Sequence, residues 1–239
     1  MRMPLKRTWI MLDELKRRVC NVNLALKSEG LVFQTWGNAS AVDREAGVVA
    51  IKPSGVAYDM LRPEHITMVD FRGNVVEGPM RPSVDVATHL VLYRAFPAIE
   101  GVIHTHSHYA TCFAQARREL PCLGTTHADY FYGAVPLAAP PSREQAAKGY
   151  EHSTGELIVE LFETRDPLKI PAALVAGHGP FVWGESIEKA LENALVLEAL
   201  ARMALHTLIL NPAANALENH LLDTHFLRKH GGNAYYGQS

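Results

Sequence analysis

Apolar residues recur at helical spacing between Met11 and Leu26, at Leu12, Leu15, Val19, Val22 and Leu26, with lysines and arginines on the other side. This is the pattern of an amphipathic helix with one buried stripe, and Gly30 suits the turn that ends it. Residues 1–10, with Pro4 and mixed charge, read as an extension ahead of one domain spanning 11–239. The period then changes. Short runs at 36–42, 48–52 and 66–70 are separated by turn residues at 43–47, at Pro53-Ser54-Gly55 and at Gly73-Asn74, which predicts three short strands joined by tight turns.

Farther along, a helix is predicted from Pro82-Ser83 to about Phe96, with Ser83 as N-cap and Asp85 in the first turn. A strand over 102–106, a helix over 111–119 and an extended proline-rich loop over 134–141 follow. The pattern continues with a helix at 155–163, a strand at 172–176, a tight turn Gly177-His178-Gly179-Pro180 and a strand at 181–183. A long helix runs from Ser186 to about Leu210, and a last one lies near 217–229 before a glycine-rich tail. Helices and strands interleave with no low-complexity linker and no repeat, so the chain reads as a single α/β domain. Short strands bounded by tight turns favour a largely antiparallel or mixed sheet over a doubly wound parallel one.

Composition narrows the function. The 239 residues carry 23 Lys+Arg against 25 Asp+Glu, a net charge of −2, which argues against nucleic-acid binding by bulk electrostatics. Hydrophobic residues at 48% and charged residues at 20% are those of a chain with a sizeable core. Within 186–210, the most apolar stretch, Glu188, Lys189, Glu192, Glu198 and Arg202 interrupt any membrane-spanning run. Cys20, Cys112 and Cys122 are odd in number and lack CxxC spacing, as expected of reduced thiols in a cytoplasmic protein. No GxGxxG or GxxxxGKS is present to support a dinucleotide or NTP site.

Twelve histidines direct attention to metal and acid–base chemistry. His104 and His106 close a predicted strand at i and i+2, which places both imidazoles on one face. They could be two ligands of one metal or two hydrogen-bonded histidines of the core. His178, flanked by glycines after an apolar strand, is a third donor or a plain turn residue. Three imidazoles with an open position would suit a catalytic zinc site, and also manganese or cobalt. His108 reads as a helix-start residue and His89 as a core histidine, while Asp85 has the ordinary role of a carboxylate at a helix N-terminus. Asn38 and Ser40 after Trp36-Gly37, and Ser54-Gly55 after Lys52-Pro53, have the ordinary reading of plain turn chemistry, in turns that could also present backbone N–H groups to a phosphate. Asp129 stands among aromatics at 125–133, either with a raised pKa suited to proton transfer or as a structural aspartate in a turn. Tyr235-Tyr236-Gly237 near the chain end predicts a tail docked over a site rather than a frayed one.

Together these segments resemble the class II aldolase/adducin family, and within it the L-ribulose-5-phosphate 4-epimerase branch, from about Met11 to Gln238. The resemblance is carried by Trp-Gly-Asn-Ala-Ser at 36–40, Lys-Pro-Ser-Gly at 52–55, Arg-Pro-Ser-Val-Asp at 81–85, His-Thr-His at 104–106, 124–133, His-Gly-Pro-Phe at 178–181, 225–231 and 234–238. It implies a three-layer α/β/α domain with a mostly antiparallel central sheet, assembled as a homotetramer with the active site at the subunit interface. It further implies divalent-metal ligands at His104, His106 and His178, with Asp85 as ligand or near-ligand and zinc as the usual metal. The phosphate pocket would comprise Asn38, Lys52, Ser54, Gly55 and Ser83. Asp129 and Tyr236 would form the acid–base pair, with His225 beside them to position the substrate. The implied reaction interconverts L-ribulose 5-phosphate and D-xylulose 5-phosphate by reversible cleavage of C3–C4. Aldolases of the family place Glu where this chain has Asp85, which favours the epimerase over a sugar-phosphate aldolase. Val84 departs from the branch, which carries a serine there. A non-catalytic interaction module on this fold would be expected to lack the three histidines.

Overall fold

The computed structural model describes residues 5–232 and 234–236, with side chains from residue 11 onward. The first helix, α1, covers Leu5–Ser28 and begins inside the segment expected to be an extension. It ends as predicted, at Gly30 with φ +73°, where the Leu31 amide donates to the Leu26 carbonyl at 2.9 Å. Strands β1 (Asn38–Asp43), β2 (Val48–Ile51) and β3 (Thr67–Asp70) fall where alternation placed them, and β4 (Val75–Glu77) adds a short outer strand. Helix α2 covers Val86–Ala95, and β5 covers Gly101–His104. Then come α3 (His108–Gln115), a single turn α4 (Thr125–Ala128), the two-residue β6 (Leu137–Ala138) and α5 (Arg143–Leu161). Strands β7 (Ala172–Val175) and β8 (Pro180–Gly184), then α6 (Ile187–Leu210) and α7 (Asn219–His230), complete the chain.

The eight strands form one mixed sheet in the order β4-β3-β2-β1-β5-β8-β7-β6. Every pairing is antiparallel except β6 with β7. This agrees with the largely antiparallel α/β sheet expected from the short strands. All residues of β5, β7 and β8 are buried, so these strands are covered on both faces. Gly101 of β5 shows how closely: a Cβ there would sit 2.4 Å from the Ile187 Cα of α6. On the other face Ser40 of β1 reaches α2, its Oγ 2.7 Å from His89 Nδ1 and 2.8 Å from the Tyr93 hydroxyl. α6 is long and apolar enough to cross a membrane by length and composition, contrary to the expectation from its interrupting charges. In this fold it buries Ile187, Ala190, Ala194, Leu197, Leu200 and Ala201 against the domain.

Three further helix starts depart from the sequence reading. α2 starts later, because Asp85 rather than Ser83 is its N-cap, and neither side chain caps it. α5 starts earlier, at Ser142, whose hydroxyl accepts from the Gln145 amide while the Gln145 side chain accepts from the Ser142 amide. Gly149, at φ 147° and ψ 100°, breaks it partway, which is why helical periodicity is apparent only after residue 155. α3 starts at His108 instead of Thr111 because Glu198 of α6 accepts from the Tyr109 and Ala110 amides at 2.8 and 3.0 Å.

Candidate metal centre and anion pocket

Sheet register assembles the site. Asn38 opens β1 directly opposite His104, which closes β5, and His104 in turn lies opposite Phe181 of β8. Lys52 follows β2 at the same end of the sheet. Between β7 and β8 the chain turns through Gly177 (φ +72°), with the His178 amide donating to the Val175 carbonyl at 2.9 Å. Four chain segments thus bring polar side chains to one sheet end.

His104, His106 and His178 converge there, each offering a ligand atom within 4.8 Å of the other two. His104 and His106 approach Nε2 to Nε2 at 3.2 Å. The strand argument for their pairing needs one correction: β5 stops at His104, and His106 lies on the loop beyond it. The Pro180 carbonyl oxygen is 2.9 Å from His104 Nδ1, so a proton on Nδ1 leaves the Nε2 lone pair facing the other imidazoles. The His104 ring is stacked on Phe181 at 4.2 Å. Loss of solvent, reinforced by the neighbouring imidazoles, brings His106 and His178 down to about 4, so both are neutral donors near pH 7. Three imidazoles whose ligand atoms converge on one point fit a divalent cation of the zinc type.

Asp85 lines the same cavity. Its Oδ2 accepts from the Asn38 amide at 2.7 Å and the Ser83 hydroxyl at 3.3 Å. Burial alone would lift this carboxyl, but the His104 and His89 imidazoles and the Asn38 amide outweigh burial and hold it below the ordinary carboxylate range. The helix-dipole reading of Asp85 was incomplete: its side chain lines the cavity and makes no capping hydrogen bond to the helix amides.

The other side of the cavity is built for an anion. Pro53 and Pro82 form a backbone bridge. The Ser83 amide donates to the Lys52 carbonyl and the Ser54 amide to the Arg81 carbonyl, each at 3.0 Å. The two expected phosphate segments, 52–55 and 81–85, are therefore held side by side, and Asn38, Lys52, Ser54, Gly55 and Ser83 all line the cavity. Lys52 is almost fully buried, 4.7 Å from the Tyr58 ring centroid, and among the described residues no carboxylate pairs with it. Burial lowers its pKa to about 8. Asn38 Oδ1 is buried without a partner among the described residues. A buried cation and an unsatisfied buried amide oxygen are costly in an apolar interior, and a phosphorylated, hydroxylated ligand would meet both.

If only the charged form of Lys52 grips phosphate, affinity is lost as pH rises through about 8. The dissociation constant for inorganic phosphate should then rise about fivefold from about pH 8 to about pH 9, a limb that Lys52→Met abolishes along with most of the binding. Titration calorimetry across that range checks this.

Two cavity residues, Tyr150 and Glu151, were not singled out from the sequence. Both enter it from the broken part of α5, the Tyr150 hydroxyl 3.0 Å from His178 Nδ1. Gly149 inside a helical run was the available signal. Trp36 forms the rim, its ring 6.0 Å from that of His106. Val84, without a hydroxyl, is exposed at the same edge.

Asp129, His225 and Tyr236 form a separate group and do not line this cavity. Asp129 lies 3.2 Å from His225 Nδ1 and is gripped by Arg228. The raised-pKa reading is corrected here: burial would lift the carboxyl, but hydrogen bonds from Arg228 and His225 and the Lys229 charge hold it below the ordinary range. The tail folds back on α7, the Tyr236 amide donating to the Arg228 carbonyl at 3.1 Å, and its described residues do not cover the cavity of its own chain.

Comparison with known proteins agrees with this geometry. A family model described as the class II aldolase and adducin N-terminal domain matches residues 17–205. L-ribulose-5-phosphate 4-epimerase UlaF of Salmonella paratyphi B (strain ATCC BAA-1250 / SPB7) is 49% identical over 227 residues, 95% of this chain and 100% of its own. The protein of the same name from Salmonella typhi matches with the same identity and coverage. Among solved structures, an L-fuculose 1-phosphate aldolase superposes with a TM-score of 0.75 and 25% identity, over 89% of this chain and 94% of its own. A histidine triad at one sheet end, a mostly antiparallel sheet and a family match over most of the length lead to one conclusion: the chain belongs to the class II aldolase and adducin family.

Proposed function

We propose that this protein is a metal-dependent epimerase that interconverts L-ribulose 5-phosphate and D-xylulose 5-phosphate. The observation that carries the reading is the cavity itself, where three converging imidazoles stand beside an uncompensated buried lysine. Kinship at 49% identity to proteins named for this reaction supports the choice of substrate.

The carbon to be inverted, C4, is not next to the carbonyl, so simple deprotonation cannot epimerise it. Cleavage and re-formation of C3–C4 can. A base takes the C4 hydroxyl proton, the C3–C4 electrons move toward the C2 carbonyl, and an enediolate and glycolaldehyde phosphate result. Rotation of the aldehyde and the reverse addition give the other epimer. Asn38, Lys52, Ser54, Gly55 and Ser83 hold the phosphate and keep the aldehyde fragment from leaving. His104, His106 and His178, with Asp85, would hold a divalent cation, zinc by preference, which would supply Lewis acidity for the negative charge that develops on cleavage. Asp129 and Tyr236 move the proton at the C4 hydroxyl, one for each stereoisomer, because the two hydroxyls point opposite ways. His225 positions the substrate beside them.

Because the proton-transfer group lies outside the cavity lining of its own chain, the complete site combines two subunits. The assembly is a homotetramer, and each domain is a three-layer α/β/α unit over 11–239 with a functional tail. The setting is cytoplasmic, consistent with three cysteines free of disulfides.

An NMR time course of the zinc-loaded protein with L-ribulose 5-phosphate tests the proposal. D-xylulose 5-phosphate should appear without free aldehyde. Release of glycolaldehyde phosphate would reassign the chain as an aldolase, and an unchanged spectrum would reassign its substrate.

A further inference from the structure

Arg228 is the point where the C-terminal segment and Asp129 are tied together. Past α7 the chain turns back, and the Arg228 carbonyl accepts from the Tyr235 and Tyr236 amides at 3.0 and 3.1 Å. Its guanidinium faces the other way. Nη2 is 2.9 Å from each oxygen of Asp129, and Nε is 3.2 Å from Oδ1. The same guanidinium lies 4.7 Å from the centroid of the Tyr236 ring. Main chain and side chain of one residue thus hold both members of the pair assigned above to proton transfer.

We propose that Arg228 is a positioning residue for epimerisation, a clamp that sets the Asp129 carboxylate and the Tyr236 ring in a fixed relation to each other. This rests on the assignment of Asp129 and Tyr236 as the proton-transfer pair. The chemistry explains why a clamp is required. A C4 hydroxyl that emerges on either face must find one group on each side at hydrogen-bond distance, and a misplacement of about 1 Å costs about 10²-fold in rate. Tyr236 is 57% exposed on a terminal tail, so packing alone does not fix it.

The neighbours cannot replace Arg228. His225 touches only Oδ1 of Asp129, and Lys229 stands 3.7 Å from Oδ2 as a point charge. Only a guanidinium presents the planar fork that fixes a carboxylate in two dimensions while stacking on an aromatic ring. Arg228 also governs the charge state of Asp129. The groups facing that carboxylate are His225, Arg228 and Lys229 from α7 and Tyr130 next in the chain. Tyr130 in turn faces Glu192 and Lys189 of α6, and His230 binds the Asp129 backbone carbonyl. Of these cations, Arg228 alone contacts both carboxylate oxygens.

The test compares Arg228→Met and Arg228→Lys with Asp129→Asn and Tyr236→Phe, all in the full-length, metal-loaded protein. Arg228→Met should lower kcat about 10²-fold, leave bound metal unchanged, and hasten release of Tyr236 by carboxypeptidase. The acid limb of its kcat/KM profile should move to higher pH as Asp129 loses its partner. Arg228→Lys should restore the acid limb, but only part of kcat, because the ammonium lacks the fork. Wild-type kcat and tail protection in Arg228→Met, with Asp129→Asn and Tyr236→Phe inactive, would overturn the clamp and leave the pair standing. Full activity in Asp129→Asn and Tyr236→Phe would instead overturn the pair, and the clamp with it. If circular dichroism shows the Met variant unfolded, the Lys variant decides: wild-type kcat there overturns the proposal.

Discussion

His106→Asn is expected to remove metal and activity together. Of the three converging imidazoles, His106 lies on a loop beyond β5, exposed to the cavity, so its replacement disturbs no buried packing. Loss of one of three nitrogen donors exceeds the 10–100-fold reduction in metal affinity typical of mutating an outer-shell partner, so the bound metal should fall well below about one-tenth per chain after dialysis. Epimerisation should fall to background, because two imidazoles and Asp85 would hold the cation too weakly. Elemental analysis and the NMR time course, run on the same sample, check both halves. A metal-free His106→Asn protein with wild-type turnover would rule out a metal role in the reaction.

The second large effect belongs to the tail. Tyr236→Phe removes one hydroxyl from an exposed ring and leaves every cavity residue in place, so metal content and phosphate affinity should match the wild type. Turnover should drop about 10²–10⁴-fold, the range for loss of a general acid or base. The substitution keeps the ring over Arg228 and Lys229, which lie 4.7 and 4.8 Å from its centroid, so the tail should stay docked. This separates proton transfer from tail placement. An unchanged rate would mean that the Tyr236 hydroxyl takes no part.

How much of this was legible in the sequence varies from segment to segment. The convergence of His104, His106 and His178 was, because close spacing after a strand and a glycine-flanked histidine each carry a geometric meaning even before the fold is known, although His106 lies on the loop past β5 and not on the strand. The strand pattern gave the sheet its antiparallel character, since runs as short as Val48–Ile51 joined by tight turns leave no room for crossovers. The edge strands β4 and β6, three and two residues long, were invisible because so short a run has no measurable period. Ser142 and Gln145 spelled a capping box that marks the start of α5, yet Gly149 hid the helix by breaking its period. The ionisation of Asp129 was misjudged for a different reason. Aromatic neighbours in sequence suggested an apolar setting, while the residue that decides its charge, Arg228, lies 99 positions away and arrives only through the packing of α7 beside α4.

The placement of the three histidines has a thermodynamic consequence. His104 closes β5, and His178 stands on the connection between β7 and β8, so the donors converge only while neighbouring strands of the central sheet remain paired. Glu198 adds to this, fastening the core helix α6 to the first amides of α3, just past His106. A ligand that binds the native chain and not the unfolded one stabilises the native chain by about 2.7 kcal/mol when present at 100 times its dissociation constant. A cation held by the three imidazoles would therefore also be a folding ligand. The melting temperature should rise with the logarithm of free metal concentration, and a chelator should lower resistance to heat and proteolysis throughout the sheet.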